Sequence, residues 1–317
     1  MLIQVLILIA SLAALGFSAN YLVNSSIKIA RQWNVSEMFI GLTIVAMGTS
    51  APEISISILA ALRGQGDLSV GNVIGSNVFN LGFILGLLAI IVPQVIPKKI
   101  VYRDSVFLLI AVSMVLLFML DTKIVMWEGL MLLGALISYI TFLTIKRDAS
   151  TKENGNDTKA LAKDYLIFLI SLVVLVKSSD FTVSAAVYMA EYFKISAWAI
   201  GATVVAVGTS LPELATSIIA TMKKKFGLSV GNVIGSSIFN TFGVIGISSF
   251  IAPITLYSKG QILGIADSIF SVGLLVALIL LLMLFMRTGW KLSRREGIIL
   301  FVFAILRIAF EIFIGKA

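Results

Sequence analysis

Cysteine and histidine are both missing from this chain of 317 residues. The first absence excludes disulfides, thiolate chemistry and Cys-type metal sites. The second excludes His-based triads, His-ligated zinc and histidine proton relays. Charge is scarce as well. Asp, Glu, Lys and Arg make up 13% of the chain, where a soluble domain carries about a quarter. Proline occurs five times, so a proline inside an apolar run needs a reason. The stretch from Met1 to Gly16 holds no Lys or Arg. It therefore lacks the basic start of a signal peptide and reads as a retained span.

What is present is apolar. Hydrophobic residues make up 59% and the mean hydropathy is +1.06, the composition of an all-α membrane protein. Apolar runs predict ten spans, near 2–27, 37–62, 68–92, 104–121, 124–146, 164–189, 196–222, 228–252, 261–286 and 295–315. The one clearly polar connection separates a first half, 1–147, from a second, 164–317, and reads as a flexible linker over 148–163. Lys and Arg number 17 in the odd connections, including Lys98, Lys146 and Lys223, and 5 in the even ones and the tail. The positive-inside rule then places both termini outside a cell membrane and the linker in the cytoplasm. The net charge of +8 is accounted for by these loop anchors, and no nucleic-acid partner is needed.

The halves are related. A shift of 160 aligns Gly41–Asn80 with Gly201–Asn240 without a gap, and 23 of the 40 positions are identical. Five spans per half is an odd number, so the second copy crosses the membrane in the opposite sense. This is the inverted-repeat plan, whose binding sites lie at the repeat interface near the midplane.

Each copy carries an unusual stretch inside an apolar run: Gly48-Thr49-Ser50-Ala51-Pro52-Glu53 and Gly208-Thr209-Ser210-Leu211-Pro212-Glu213. Proline lacks an N–H and crowds the carbonyl four residues back, so the second and seventh spans should open there. The carbonyls of Ala46, Met47 and Gly48, and of Ala206, Val207 and Gly208, are expected to lose helical partners. Open backbone at this depth is tolerated where it lines a wet cavity or meets a ligand. A simple proline kink would explain one copy, but not two copies that each carry a carboxylate.

A charged side chain at the bilayer centre costs roughly 3 kcal/mol on insertion scales. The nearest intramembrane cations are Lys177 and Arg307. Neither is duplicated, and Arg307 has Glu311 one turn away as an i,i+4 partner. Glu53 and Glu213 together therefore suit one bound divalent cation. Thr49, Ser50, Thr209 and Ser210 add oxygens. The third and eighth spans add Ser76 with Asn80 and Ser236 with Asn240, each pair four apart on one helical face. Packing is the plainer reading of this region, and it is assigned to Gly71, Gly75, Gly231 and Gly235. An all-oxygen set with two carboxylates suits a hard ion such as Ca²⁺ better than Mg²⁺, which keeps its waters. Several Na⁺ would balance the same charge in exchange.

The pattern Gly-Thr-Ser-x-Pro-Glu followed by Gly-Asn-x-x-Gly-Ser-x-x-x-Asn, present in both halves, resembles the Ca²⁺/cation antiporter superfamily. Within it the chain is most similar to the compact prokaryotic Na⁺/Ca²⁺ exchangers. The resemblance implies ten transmembrane helices in two inverted five-helix repeats, with broken helices 2 and 7 at the centre. It implies that helices 2, 3, 7 and 8 form the ion core and that helices 1 and 6 slide across it. It implies Na⁺ and Ca²⁺ as substrates, no cofactor and no enzymatic reaction. Carried over, the paired acids fall on Glu53 and Glu213, and the hydroxyl ligands on Thr49, Ser50, Ser76, Thr209, Ser210 and Ser236. Backbone ligands fall on Ala46 and Ala206, and the amide on Asn80. Asn240 is a departure, because K⁺-dependent and some prokaryotic relatives have Asp there. A doubly acidic site argues against K⁺ co-transport. Lys177 is a second oddity, three residues before Asp180. An i,i+3 ion pair is the expected reason, and a tethered cation acting on Na⁺ stoichiometry is the alternative.

Ca²⁺/H⁺ exchange at the same glutamates is the closest competing function. An intramembrane hydrolase would need a base beside Ser50 or Ser210 and has no histidine. A passive channel would conduct slowly through so tight a site. No feature demands more than a monomer.

Overall fold

The computed structural model describes the backbone of residues 1–146, 158–193, 206–256 and 264–314, and the side chains of 1–146, 162–193, 207–256 and 269–309. Helices dominate in chain order: α1 (Leu2–Gln32), α2 (Glu37–Thr49), α3 (Ala51–Leu62), α4 (Gly66–Ile91), α5 (Ile100–Asp121) and α6 (Met126–Ile145). The second half has α7 (Thr158–Tyr192), α8 (Ala206–Thr209), α9 (Leu211–Met222), α10 (Phe226–Ile251), α11 (Gly264–Arg287) and α12 (Arg294–Ile314). Seven of these are long and apolar enough to cross a membrane, and the bent pair α2–α3 makes an eighth. The chain is a multi-span, all-α membrane protein.

The start of α7 is six residues earlier than the apolar pattern suggests, so the end of the expected linker is helical. A helix propagates beyond the bilayer once nucleated, and 158–163 contains no proline or glycine to stop it. The remainder of the linker up to 157, and the expected start of the seventh span at 196–205, lie outside the described residues.

Element boundaries repeat at the offset of 160. Helix α3 matches α9, and α4 matches α10. Both α4 and α10 carry a π-helical stretch, Phe79–Ile84 and Phe239–Val244, and π-bulges are frequent at functional sites. The turn after α3 holds Gly64 at φ +68°, and the turn after α9 holds Lys224 at φ +59°. Both close as Schellman motifs, with Gln65 N on Ala60 O at 2.8 Å and Lys225 N on Ala220 O at 2.8 Å. Two short antiparallel strand pairs tie the halves together. β1 (Gln94–Val95) pairs with β4 (Lys291–Leu292), and β2 (Lys123–Ile124) with β3 (Ile254–Thr255).

Helices α4 and α10 form the centre. Their most apolar stretches are 72% and 78% buried, against 22–39% for the other spans tested. Glycine allows one close approach. A Cβ on Gly235 would stand 2.7 Å from Leu42 Cα, and one on Gly231 2.9 Å from Met38 O, so α2 and α10 meet backbone to backbone. The positions that correspond at the 160 offset to Met38 and Leu42 lie outside the described residues. Helices α1 and α7 lie along each other at one side of this centre.

Candidate functional site

Helices α2 and α3 meet at Ser50 with a bend of 46°. Ser50 itself has φ −79° and ψ 8°, outside the helical region. The break comes one residue later than expected for Ala46, whose carbonyl keeps its helical bond from Ser50 N at 3.1 Å. The reason is geometric: Pro52 removes the N–H that would reach Gly48, four residues back, and leaves Ala46 untouched. In the second copy Ser210 N bonds Val207 O at 3.2 Å. There the carbonyl of Gly208 is taken by Ser179 Oγ of α7 at 2.7 Å.

The two breaks face each other. Ser50 Oγ donates to Glu213 Oε1 at 3.3 Å, and Ser210 Oγ donates to Glu53 Oε1 at 3.2 Å. This reciprocal pair is the signature of a local two-fold relation. Both glutamates are fully buried. The Ser76 hydroxyl faces Glu53, and those of Thr49 and Ser236 face Glu213. Thr49 Oγ1 and Ser236 Oγ lie 3.3 Å apart, and Ser236 Oγ reaches Ala46 O at 3.4 Å.

Asn80 and Asn240 are fully buried in the two π-helical stretches. The stretch holding Asn80 packs on α9, which carries Glu213, and that holding Asn240 packs on α3, which carries Glu53. Among the described residues neither amide has a protein partner at its oxygen or its nitrogen, and Glu53 Oε2 and Glu213 Oε2 also lack one. Buried polar groups without partners cost about 1–3 kcal/mol each, so this cluster fits a ligand of opposite charge. No basic side chain pairs with either glutamate among the described residues. Lys177 is 3.5 Å from Asp180, as the spacing predicts, and Arg307 donates to Ser271 Oγ at 2.7 Å. Glu311 lies outside the described side chains. No third acidic residue joins the pair among the described residues.

Thr209 lies at the edge of the cluster, on a cavity of about 410 Å³ between α3, α7 and the break of the second copy. Ala206 begins the described part of α8, and its side chain lies outside the described set. Sequence reasoning missed the clamp behind each glutamate. Asn72 Nδ2 bonds Glu53 O at 3.3 Å and Ser57 Oγ at 2.9 Å. Asn232 Nδ2 does the same to Glu213 O at 3.5 Å and Ser217 Oγ at 3.0 Å. Its signal was present in both copies as Asn72 with Ser57 and Asn232 with Ser217. It also missed Asn77 Nδ2 on Thr241 Oγ1 at 2.7 Å, which ties α4 to α10. Neither residue recurs at the 160 offset, so the repeat gave no signal.

The sequence matches the family model described as "Sodium/calcium exchanger protein" over residues 3–145 and 163–313. It is 29% identical to the sodium/calcium exchanger MaX1 of Methanosarcina acetivorans, over 95% of this chain and 96% of that one. It is 32% identical to the inner membrane protein YrbG of Escherichia coli K12, over 94% of this chain and 92% of that one. Among solved structures, the sodium-calcium exchanger NCX_Mj soaked with Na⁺ superimposes with a TM-score of 0.85 at 31% identity, covering 98% of this chain and 99% of that one.

Proposed function

Because this chain belongs to the sodium/calcium exchanger protein family, we propose that it is a secondary active antiporter exchanging Na⁺ for Ca²⁺ by alternating access. The observation that carries this reading is the reciprocal bonding of Ser50 to Glu213 and Ser210 to Glu53. It brings two buried carboxylates together with no protein cation between them among the described residues. A charge of −2 suits one Ca²⁺ among six to eight oxygens. Glu53 and Glu213 are its carboxylate ligands, with Thr49, Ser50, Ser76, Thr209, Ser210 and Ser236 as hydroxyl ligands. Asn80 and Asn240 supply amide oxygens, and Ala46 and Ala206 carbonyls. Na⁺ ions occupying the same oxygens balance the same charge, so the two loads exclude each other and exchange follows.

The architecture that serves this is ten spans in two inverted repeats, 1–147 and 164–317, with both termini outside and the linker in the cytoplasm. On the cytoplasmic side α1 lies on α9, and Leu22, Val23, Leu211 and Ile219 join one apolar cluster. Lys223 to Asn24 at 2.6 Å and Lys225 to Glu37 at 2.7 Å latch the same face. On the outer side α7 stands off α3 and leaves the cavity that reaches Thr209. Among the described residues access is thus one-sided, as alternating access requires. The site lies within one chain, so a monomer suffices, and the ions are cargo, with no cofactor involved.

The test is ⁴⁵Ca²⁺ uptake into proteoliposomes under an outward Na⁺ gradient, run beside an outward proton gradient. Uptake driven by Na⁺ is expected. Uptake driven by the proton gradient and indifferent to Na⁺ makes the protein a Ca²⁺/H⁺ exchanger instead.

A further inference from the structure

The cavity of about 410 Å³ is lined by Pro52 and Ser55 of α3, by Lys177, Asp180 and Ser184 of α7, and by Thr209, among others. Pro52 precedes Glu53, and Thr209 lies one turn before Glu213 in the second break, so in the exchange reading this cavity serves as the water path toward them. Its lining contains two charged side chains, Lys177 and Asp180. Their ionic groups are 3.5 Å apart, and the side chains are 68% and 54% exposed. Their height in the molecule is fixed. Ser179, between them, holds the Gly208 carbonyl at 2.7 Å, and Gly208 precedes the expected ligand Thr209.

The pair is not part of the repeated machinery. At the 160 offset the first half has Phe17 and Asn20, which carry no charge. The repeat therefore supplies the ligands symmetrically, while the charge on the path belongs to one side alone. A surface pair of this kind contributes only about 0–1 kcal/mol, so it opens readily. A passing cation can then claim the Asp180 carboxylate from the ammonium.

We infer that Lys177 is a specificity-determining residue of the cation path. Its ammonium is a tethered counter-ion that keeps the vestibule neutral and makes an arriving cation compete for Asp180. The inference rests on the exchange reading, because it needs the cavity to carry the transported ions. Removing Lys177 leaves a net charge of −1 in the vestibule, and removing Asp180 leaves +1. A fixed potential acts on an ion in proportion to its charge, so the factor for Ca²⁺ is the square of the factor for each Na⁺. One unit charge about 10 Å away through water changes the Ca²⁺ requirement about fourfold and the Na⁺ requirement about twofold.

The experiment is Ca²⁺/Ca²⁺ self-exchange in proteoliposomes, which needs no Na⁺ or proton gradient, with external Na⁺ added as competitor. Lys177→Met is expected to lower the half-saturating Ca²⁺ about fourfold and the inhibitory Na⁺ about twofold. Asp180→Asn moves both the other way, and the doubly substituted protein lies between the single variants. The shifts fall on half-saturation rather than on the saturated rate. They shrink as choline chloride is raised toward 1 M, where the Debye length is about 3 Å. Equal factors for the two ions, salt-independent shifts, or a lost rate with half-saturation unmoved assign Lys177 to helix packing and overturn the inference. Should Na⁺ fail to compete in the unsubstituted protein, the exchange reading falls, while the Ca²⁺ arm still scores the vestibule charge. Absence of any Ca²⁺ self-exchange overturns both.

Discussion

Ser50 and Ser210 each donate to the glutamate of the other copy, at 3.3 and 3.2 Å, so the site should respond to both alike. A hydrogen bond to a charged group is worth about 1.5–3 kcal/mol. Ser50→Ala and Ser210→Ala are each expected to weaken Ca²⁺ binding by about tenfold or more, within a factor of a few of each other, by calorimetric titration. A large effect in one variant and none in the other breaks the two-fold picture. Asn240→Asp adds a third carboxylate where the amide now has no protein partner. The expected outcome is a change in the ratio of Ca²⁺ to Na⁺ affinity, and unchanged affinities make Asn240 a packing residue. The acids, their hydroxyls and the amides were legible from sequence because each occurs twice at one offset. Ser179 on Gly208 was not legible, because its counterpart Ala19 has no hydroxyl and the contact joins residues far apart in the chain.

The elements follow from local chemistry at their breaks. Pro52 and Pro212 sit in the first turns of α3 and α9, where a missing N–H costs nothing. The position of the break was readable, and only the expectation that it also opens Ala46 was not met. Ala46 keeps its bond because proline acts four residues back, on Gly48. The π-helical stretches that carry Asn80 and Asn240 were invisible to hydropathy, since π and α turns bury the same residue types. Close packing of α2 on α10 requires Gly235, where a Cβ would stand 2.8 Å from Leu42 O. Gly235→Val must push the two helices apart. It is expected to lower the stability by about 1–3 kcal/mol and to move Ser236 away from Ala46. The check is a paired thermal unfolding and Ca²⁺-binding measurement. Full stability with normal binding would show that the contact yields freely.

Among the described residues, one face of the molecule is packed shut and the other holds a cavity. Leu211 and Ile219 join the apolar cluster with Leu22 and Val23 of α1, while Ser55 and Ser184 line the open cavity. Hydropathy made the all-α, multi-span class legible, but the packed and open faces depend on how α1 and α7 rest on the core, which no local pattern encodes. Since the chain has no cysteine, single substitutions can report on access. Ser55→Cys and Ser184→Cys are expected to react with an impermeant maleimide added outside whole cells, and Ile219→Cys to stay unreactive. The reverse pattern would invert the assigned orientation. The most direct measurement is equilibrium ⁴⁵Ca²⁺ binding to the purified protein with Na⁺ as competitor. One Ca²⁺ per chain is expected, displaced by Na⁺ with a Hill coefficient above one, and lost in both Glu53→Gln and Glu213→Gln at retained thermal stability. Ca²⁺ that stays bound at saturating Na⁺, or that survives in either variant, would contradict a shared site between the two glutamates.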